Sequence, residues 1–183
     1  LKECQNLRVL INKKFGAREL WALARSVPKL PEHVQVILPE TETSTWSLLS
    51  SADYCLTVRG TVGIEAALLG KIVLTAGTGR YDRHGFTHDN ESKESYLATL
   101  ARIHTLDLPE ENWRELASRY ASGIFLHRPV RTDSFQFSFD QDEFATLRTK
   151  PGVNTLEQLK SAKDISKISS WLKSVEEDLL QLD

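Results

Sequence analysis

The chain has 183 residues, 40% of them hydrophobic and 26% charged, which excludes a disordered or fibrous protein and suits one ordinary domain, or one domain plus a helical appendage. Its 23 Lys and Arg stand against 25 Asp and Glu, a net charge of −2, so no global field draws it to nucleic acid or anionic lipid and any anion site must be local. No apolar run approaches the ~20 residues of a membrane helix, and the opening LKECQNLRVL lacks the apolar stretch of a signal peptide, so the chain reads as soluble and cytoplasmic.

Residues 7–11, LRVLI, form a first short β-branched run. From Ala17 to Ala24 the apolar Leu20, Trp21, Leu23 and Ala24 recur at helical spacing before Pro28 stops them. A second strand follows at 34–38, VQVIL, and Ser44 or Thr45 is placed to cap a short helix through Leu49. Strands YCLTV at 54–58 and IVLTA at 72–76 flank a nearly all-apolar helix from Ile64 to Leu69, which Gly70 is placed to end. Strand–helix alternation of this kind implies a doubly wound α/β domain with a parallel sheet, and the near-continuous apolar strands imply burial on both faces.

Pro109 suits the first turn of one long helix carrying Trp113, Leu116, Ala117, Tyr120, Ala121, Ile124 and Phe125. After Arg128 the character changes. Phe135, Phe137 and Phe139 alternate with polar residues, as in a short strand or an extended arm, and Pro151-Gly152 marks a turn. Ile165, Ile168, Leu172, Val175, Leu179 and Leu182 then form the narrow seam of an amphipathic helix of the kind that docks on another surface or pairs with a second helix. The expected division is residues 1–130 as the α/β domain and 131–183 as arm and helix.

Two glycine-bearing loops fall at one end of the expected sheet, where open α/β sheets bind ligands. Gly60-Thr61-Val62-Gly63 turns the chain from strand to helix, and small residues there let a phosphate approach backbone amides and the positive helix end. This is neither a Walker loop nor the dinucleotide fingerprint, and two glycines serving only a tight turn and close packing is the plain alternative. Glu65, on the first turn of an apolar helix, either complements the helix dipole or chelates ribose hydroxyls. The second loop carries Arg80, Tyr81, Arg83, His84 and His88. Either it is a solvated basic loop or its arginines bind phosphate or carboxylate through their planar forks.

Other chemistry is poorly represented. The histidines lack metal spacing, there is no Gly-x-Ser-x-Gly elbow, Cys4 and Cys55 are too few for a disulfide or zinc framework, and Cys55 reads as a core residue. No metal and no cofactor is therefore expected. The chain contains no Met and starts at Leu1, so it is expected to be a piece of a longer protein.

The residues also carry a resemblance. Pro39, Ser44-Thr45-Trp46-Ser47-Leu48-Leu49, Ala52-Asp53, Gly60-Thr61-Val62-Gly63-Ile64-Glu65-Ala66, Gly70-Lys71-Ile72-Val73 and Tyr81 to Thr87 follow the order and spacing of bacterial capsule and surface polysaccharide biosynthesis proteins. That family is GT-B glycosyltransferase-like, and some members resemble β-Kdo transferases. The resemblance spans roughly residues 7–130 and corresponds to the carboxyl-terminal, nucleotide-sugar-binding half. Gly60 stands where the family often has a hydroxyl residue, leaving Thr61 to touch phosphate, and LRVLINKK lacks the family's His-Pro.

The resemblance implies a Rossmann-like half of a GT-B fold that holds a CMP- or UDP-linked sugar such as CMP-Kdo. Phosphate would lie on Gly60, Thr61, Val62 and Gly63, ribose on Glu65, and the sugar beside Arg80, Tyr81, Arg83 and His84. A glycan or glycolipid acceptor, and a preceding partner domain or a second copy of the chain, complete the expected partners. Nucleic acid is not among them. The base would come from the other domain, so no catalytic residue is assigned. The place implied is the cytoplasm or, as a peripheral protein, the inner face of the bacterial membrane. Two alternatives stand beside this reading: an inactive binding or scaffold domain, and a glycerophosphotransferase or nucleotide-sugar epimerase on the same fold.

Overall fold

The computed structural model describes residues 9–11, 17–38, 41–78, 80–139, 147–176 and 179. Leu1, Cys4, Leu7, Arg8, Pro39 and Leu182, all used in the sequence reading, lie outside these residues. The chain divides into two compact units, residues 1–118 and 119–183. The division falls within a helix, ahead of the change of character in the sequence after Arg128.

In the first unit, β1 (Val9–Ile11) leads to α1 (Ala17–Ser26) and on to β2 (Val34–Val36), which pairs with β1 in parallel from Val9↔Val34 to Ile11↔Val36. Ser44 then caps α2 (Thr45–Ser51), its Oγ accepting from the Ser47 amide at 3.1 Å. Such a cap satisfies one of the orphan donors of the first turn and is worth about 1 kcal/mol. A second parallel unit follows: β3 (Tyr54–Thr57), α3 (Val62–Leu68) and β4 (Ile72–Thr75), paired from Tyr54↔Ile72 to Thr57↔Thr75. Gly70 ends α3 with φ 85°, a left-handed conformation that costs a side chain about 1 kcal/mol and glycine almost nothing.

The four strands were expected to form one doubly wound sheet. Among the described residues they form two separate parallel pairs, with no ladder from β1 or β2 to β3 or β4. The β1–α1–β2 and β3–α3–β4 crossovers are present, and a sheet joining the two pairs through α2 is not seen among the described residues. Strands of three and four residues offer few ladder bonds, and parallel pairing depends on cover over both faces. β4 has that cover, with Val73, Leu74 and Thr75 at most 1% exposed, whereas Leu56 on β3 remains 44% exposed. The core centres on β4. Ala66 and Ala67 of α3 are fully buried, and their small side chains let the helix lie close to the strands.

α4 (Lys93–Ala101) and a 3₁₀ turn at Ile103–Thr105 follow. α5 (Trp113–Ser122) starts after Pro109, later than expected, and buries Trp113 and Ala117. It passes into a π-helical turn at Gly123–His127, closed by the Arg128 amide donating to the Gly123 carbonyl at 2.8 Å. The long regular helix expected through Phe125 therefore stops short, where glycine removes a side chain's bias toward the α conformation.

The second unit contains the antiparallel hairpin β5 (Phe135–Phe139) and β6 (Leu147–Pro151), then α6 (Leu156–Ser161) and α7 (Lys163–Leu172). The alternating phenylalanines thus belong to a strand. Asp164, 5% exposed in the first turn of α7, fastens the start of β5. Its Oδ2 accepts from the amides of Asp133 and Ser134 at 3.0 and 2.9 Å, and its Oδ1 from the Ser134 hydroxyl at 2.6 Å. These bonds, the Ser134 hydroxyl foremost, hold the Asp164 carboxyl below the ordinary carboxylate range.

The amphipathic helix expected from Ile165 to Leu182 ends at Leu172. Ser174 is the local reason: its Oγ donates to the Trp171 carbonyl at 2.8 Å and accepts from the Glu176 amide at 3.2 Å. A short hydroxyl side chain competing for backbone groups favours a helix end, and Val175 beyond it is fully exposed.

Candidate functional site

At the carboxyl end of β3, Thr57 Oγ1 accepts from the Gly60 amide at 3.1 Å and starts the turn. The amides of Gly63, Ile64 and Glu65 then donate to the carbonyls of Gly60 and Thr61 at 3.0 to 3.1 Å. Much of the first turn of α3 is therefore satisfied internally. Among the described residues, the amides of Thr61 and Val62 donate to no protein acceptor. Thr61 sits at the N-cap with helical backbone angles and makes no side-chain cap bond, leaving its hydroxyl for another partner.

Tyr81 links the two glycine loops. Its hydroxyl donates to the Gly60 carbonyl at 2.8 Å, and an added Cβ on Gly63 would collide with that hydroxyl. Gly63 is thus required by the close approach of a ring. Tyr81 is 2% exposed and stacks on the fully buried Phe86 at 5.8 Å between centroids. Expected beside the sugar, it is buried here and supports the turn through its bond to the Gly60 carbonyl. Arg80 makes a second link, Nη1 donating to the Arg59 carbonyl at 2.9 Å. The two expected loops do come together, but by bonds from the very residues assigned to the sugar.

The rest of the basic loop is also tied down. Arg83 is left-handed, with φ 63°. Its amide donates to Asp89 Oδ2 at 2.7 Å and its guanidinium pairs with Glu91 at 2.7 Å. His88 Nε2 lies 2.6 Å from the Asp107 carbonyl, and its backbone joins the far edge of β4, donating to Val73 and accepting from Thr75. His84 remains exposed, its ring over Phe86 at 6.4 Å.

Thr75, Thr87, Asp89 and Asn90 organise this end of the sheet, and sequence reasoning gave none of them a role. Asp89 Oδ1 accepts from the hydroxyls of Thr75 and Thr87 at 3.0 and 2.6 Å. Asn90, 5% exposed, donates to the Thr75 carbonyl at 3.1 Å and accepts from Thr99 Oγ1 at 2.9 Å. The polar Thr87-His88-Asp89-Asn90 run behind the apolar Phe86 was the available signal.

Glu65 is half-buried on α3. Burial chiefly, and the Glu65 charge secondarily, push the Cys55 thiol up to about 11, so Cys55 is an uncharged core residue and not a nucleophile. Beside the two loops opens a crevice of ≈ 390 Å³, walled by Arg59, Ala76, Gly77 and Thr78 from the strand ends and by Asn90 to Lys93 and Tyr96 from the start of α4. Among the described residues, no three His, Cys, Asp or Glu side chains come together as a metal site would require, and no helix is long and apolar enough to cross a membrane.

Parallel β–α–β units with glycine loops at the strand ends make this a mixed α/β protein. The family model of capsule polysaccharide biosynthesis proteins matches residues 17–119, more than half of the chain, and the protein belongs to that family. Its role therefore lies in capsule polysaccharide synthesis, which is compatible with a glycosyltransferase type of enzyme. Comparisons with curated proteins and with solved structures give no match.

Proposed function

We propose that this chain is the nucleotide-sugar-binding half of a GT-B glycosyltransferase for capsule assembly, taking a CMP- or UDP-linked donor such as CMP-Kdo. The observation that carries the reading is the union of the turn from Gly60 to Gly63 with the loop from Arg80 to His88 at the ends of β3 and β4, in a capsule-family chain. The donor phosphate lies against Gly60, Thr61, Val62 and Gly63, where two amides and a hydroxyl await an acceptor. Glu65 takes the ribose hydroxyls. Arg80 and His84 border the sugar, with Tyr81 holding the turn and Arg83 held by Glu91. The catalytic base and the acceptor site, for a glycan or glycolipid, belong to a partner domain or a second copy.

A second reading, a binding domain without transferase chemistry, is favoured by Gly60 in place of a hydroxyl residue and by the internal bonding of the first helical turn. Thermal-shift titration with CMP, CDP, UDP and GDP tests nucleotide binding, which the donor reading requires. A nucleotide that binds only the native state stabilises it by about 2.7 kcal/mol at a hundredfold excess over its dissociation constant. We expect one of the pyrimidine nucleotides to raise the midpoint in a concentration-dependent way. No response to any of the four would contradict the donor reading.

A further inference from the structure

The hairpin of the second unit has two unlike edges. Its register from Phe139↔Leu147 to Phe135↔Pro151 continues to Ser134 opposite Gly152, whose amide donates to the Ser134 carbonyl at 2.8 Å. Hydrogen-bonded pairs alternate along an antiparallel ladder, so Gln136 and Ser138 turn their backbone groups toward β6, and Phe135, Phe137 and Phe139 turn theirs outward. The Phe135 carbonyl accepts from Thr132 Oγ1 at 3.2 Å and keeps a second lone pair. Among the described residues no strand pairs with this outward edge.

On β6 the outward residues are Leu147, Thr149 and Pro151, with Arg148 and Lys150 between them. Pro151 has no N–H to give, and cations on an edge oppose strand addition. β5, FQFSF, carries neither charge nor proline. Phe137 at its centre is 53% exposed, and Gln136 and Ser138 beside it are exposed. A ribbon of two strands is marginal by itself and gains stability from further strands.

We propose that the outward edge of β5 pairs antiparallel with β5 of a second copy of this chain, joining the hairpins into one sheet in the order β6–β5–β5–β6. The strand's own symmetry selects this occupant. About a two-fold axis at Phe137, that residue faces its own copy, Phe135 faces Phe139 of the second copy, and Gln136 faces Ser138 of the second copy. Every outward N–H then meets a carbonyl, and no like charges stand opposite one another, as an isologous contact requires. The same operation on β6 would set Arg148 against the copy's Lys150 and leave Pro151 without a donor. The pairing does not depend on the donor reading.

Sedimentation equilibrium of the whole chain over a range of concentrations, read together with amide hydrogen exchange, tests the proposal. The chain should dimerise, and exchange at the Phe135, Phe137 and Phe139 amides should slow as the dimer fills. Gln136 and Ser138, already bonded to β6, should change little. Gln136→Glu with Ser138→Glu sets carboxylates opposite Lys150 and Arg148 within the hairpin, so the fold should persist. Across the axis it sets carboxylate against carboxylate, which should weaken the dimer about tenfold.

A chain that stays monomeric up to its solubility limit would overturn the proposal. So would a dimer whose Phe137 amide exchanges as fast as in the monomer, or undiminished affinity in the double variant. Slow exchange at Phe135 and Phe137 in a monomer would overturn the second copy as occupant and give the edge to another segment of this chain.

Discussion

Asp89 in the first unit and Asp164 in the second do similar work with different consequences. Each carboxylate gathers backbone amides and hydroxyls: Arg83 N, Thr75 Oγ1 and Thr87 Oγ1 around Asp89, and Asp133 N, Ser134 N and Ser134 Oγ around Asp164. Asp164 joins a helix to a strand, and its cluster ends there. Asp89 fixes a loop whose two flanks reach the glycine turn through Tyr81 and the crevice through Glu91. The Asp89 cluster positions a loop on which the proposed donor site depends, whereas the Asp164 cluster positions only secondary structure.

Replacing Asp89 should break this contrast most visibly. Asp89→Ala leaves two hydroxyls and the amide of a left-handed residue without their acceptor, at a cost of about 3 kcal/mol. Chemical denaturation should record that loss, and nucleotide binding should fall with it. Gly63→Ala acts on the same region through packing: the new methyl displaces the Tyr81 hydroxyl from the Gly60 carbonyl at about 2 kcal/mol. Denaturation and the nucleotide titration should both detect it.

Asp164 should respond to pH without affecting ligands. Its folded-state value is lowered, so the unfolded chain takes up the proton first. The stabilisation is complete above the unfolded value of about 4 and is lost as pH falls through the folded one. The protection factor of the Ser134 amide, its exchange rate corrected for the intrinsic pH dependence, should fall across that acid window. Asp164→Asn should remove the pH dependence and leave nucleotide affinity unchanged. The smallest effect is expected from Thr99→Val, which takes one hydrogen bond from Asn90 at 2.9 Å and should cost about 1 kcal/mol in denaturation.

What the sequence revealed follows the range over which each signal acts. Ser44 as a cap, Gly70 as a helix end and the apolar face of α3 are local signals, and all three are observed. α4 had no such signal. None of its residues is buried, so no apolar stripe marks it, and its capping box has Ser95 where Glu or Gln is usual. The two glycine loops were legible as neighbours because chain order places them at successive strand ends. The partners of Arg80, Tyr81 and Arg83 were not, since Arg59, Gly60 and Glu91 become neighbours only through folding. Charge counting therefore singled out Arg80 and Arg83 without the partners that folding gives them, the Arg59 carbonyl and Glu91.

The central claim, a nucleotide seated at the turn from Gly60 to Glu65, is tested most directly by calorimetric titration of the nucleotide that shifts the melting curve into the unaltered protein and Glu65→Ala. Removing a charged acceptor from ribose hydroxyls should weaken binding by about 2 kcal/mol, some thirtyfold, while the melting midpoint of the unliganded protein stays nearly unchanged. Equal affinity for the two proteins would contradict the account and leave Glu65 as a residue of the helix alone.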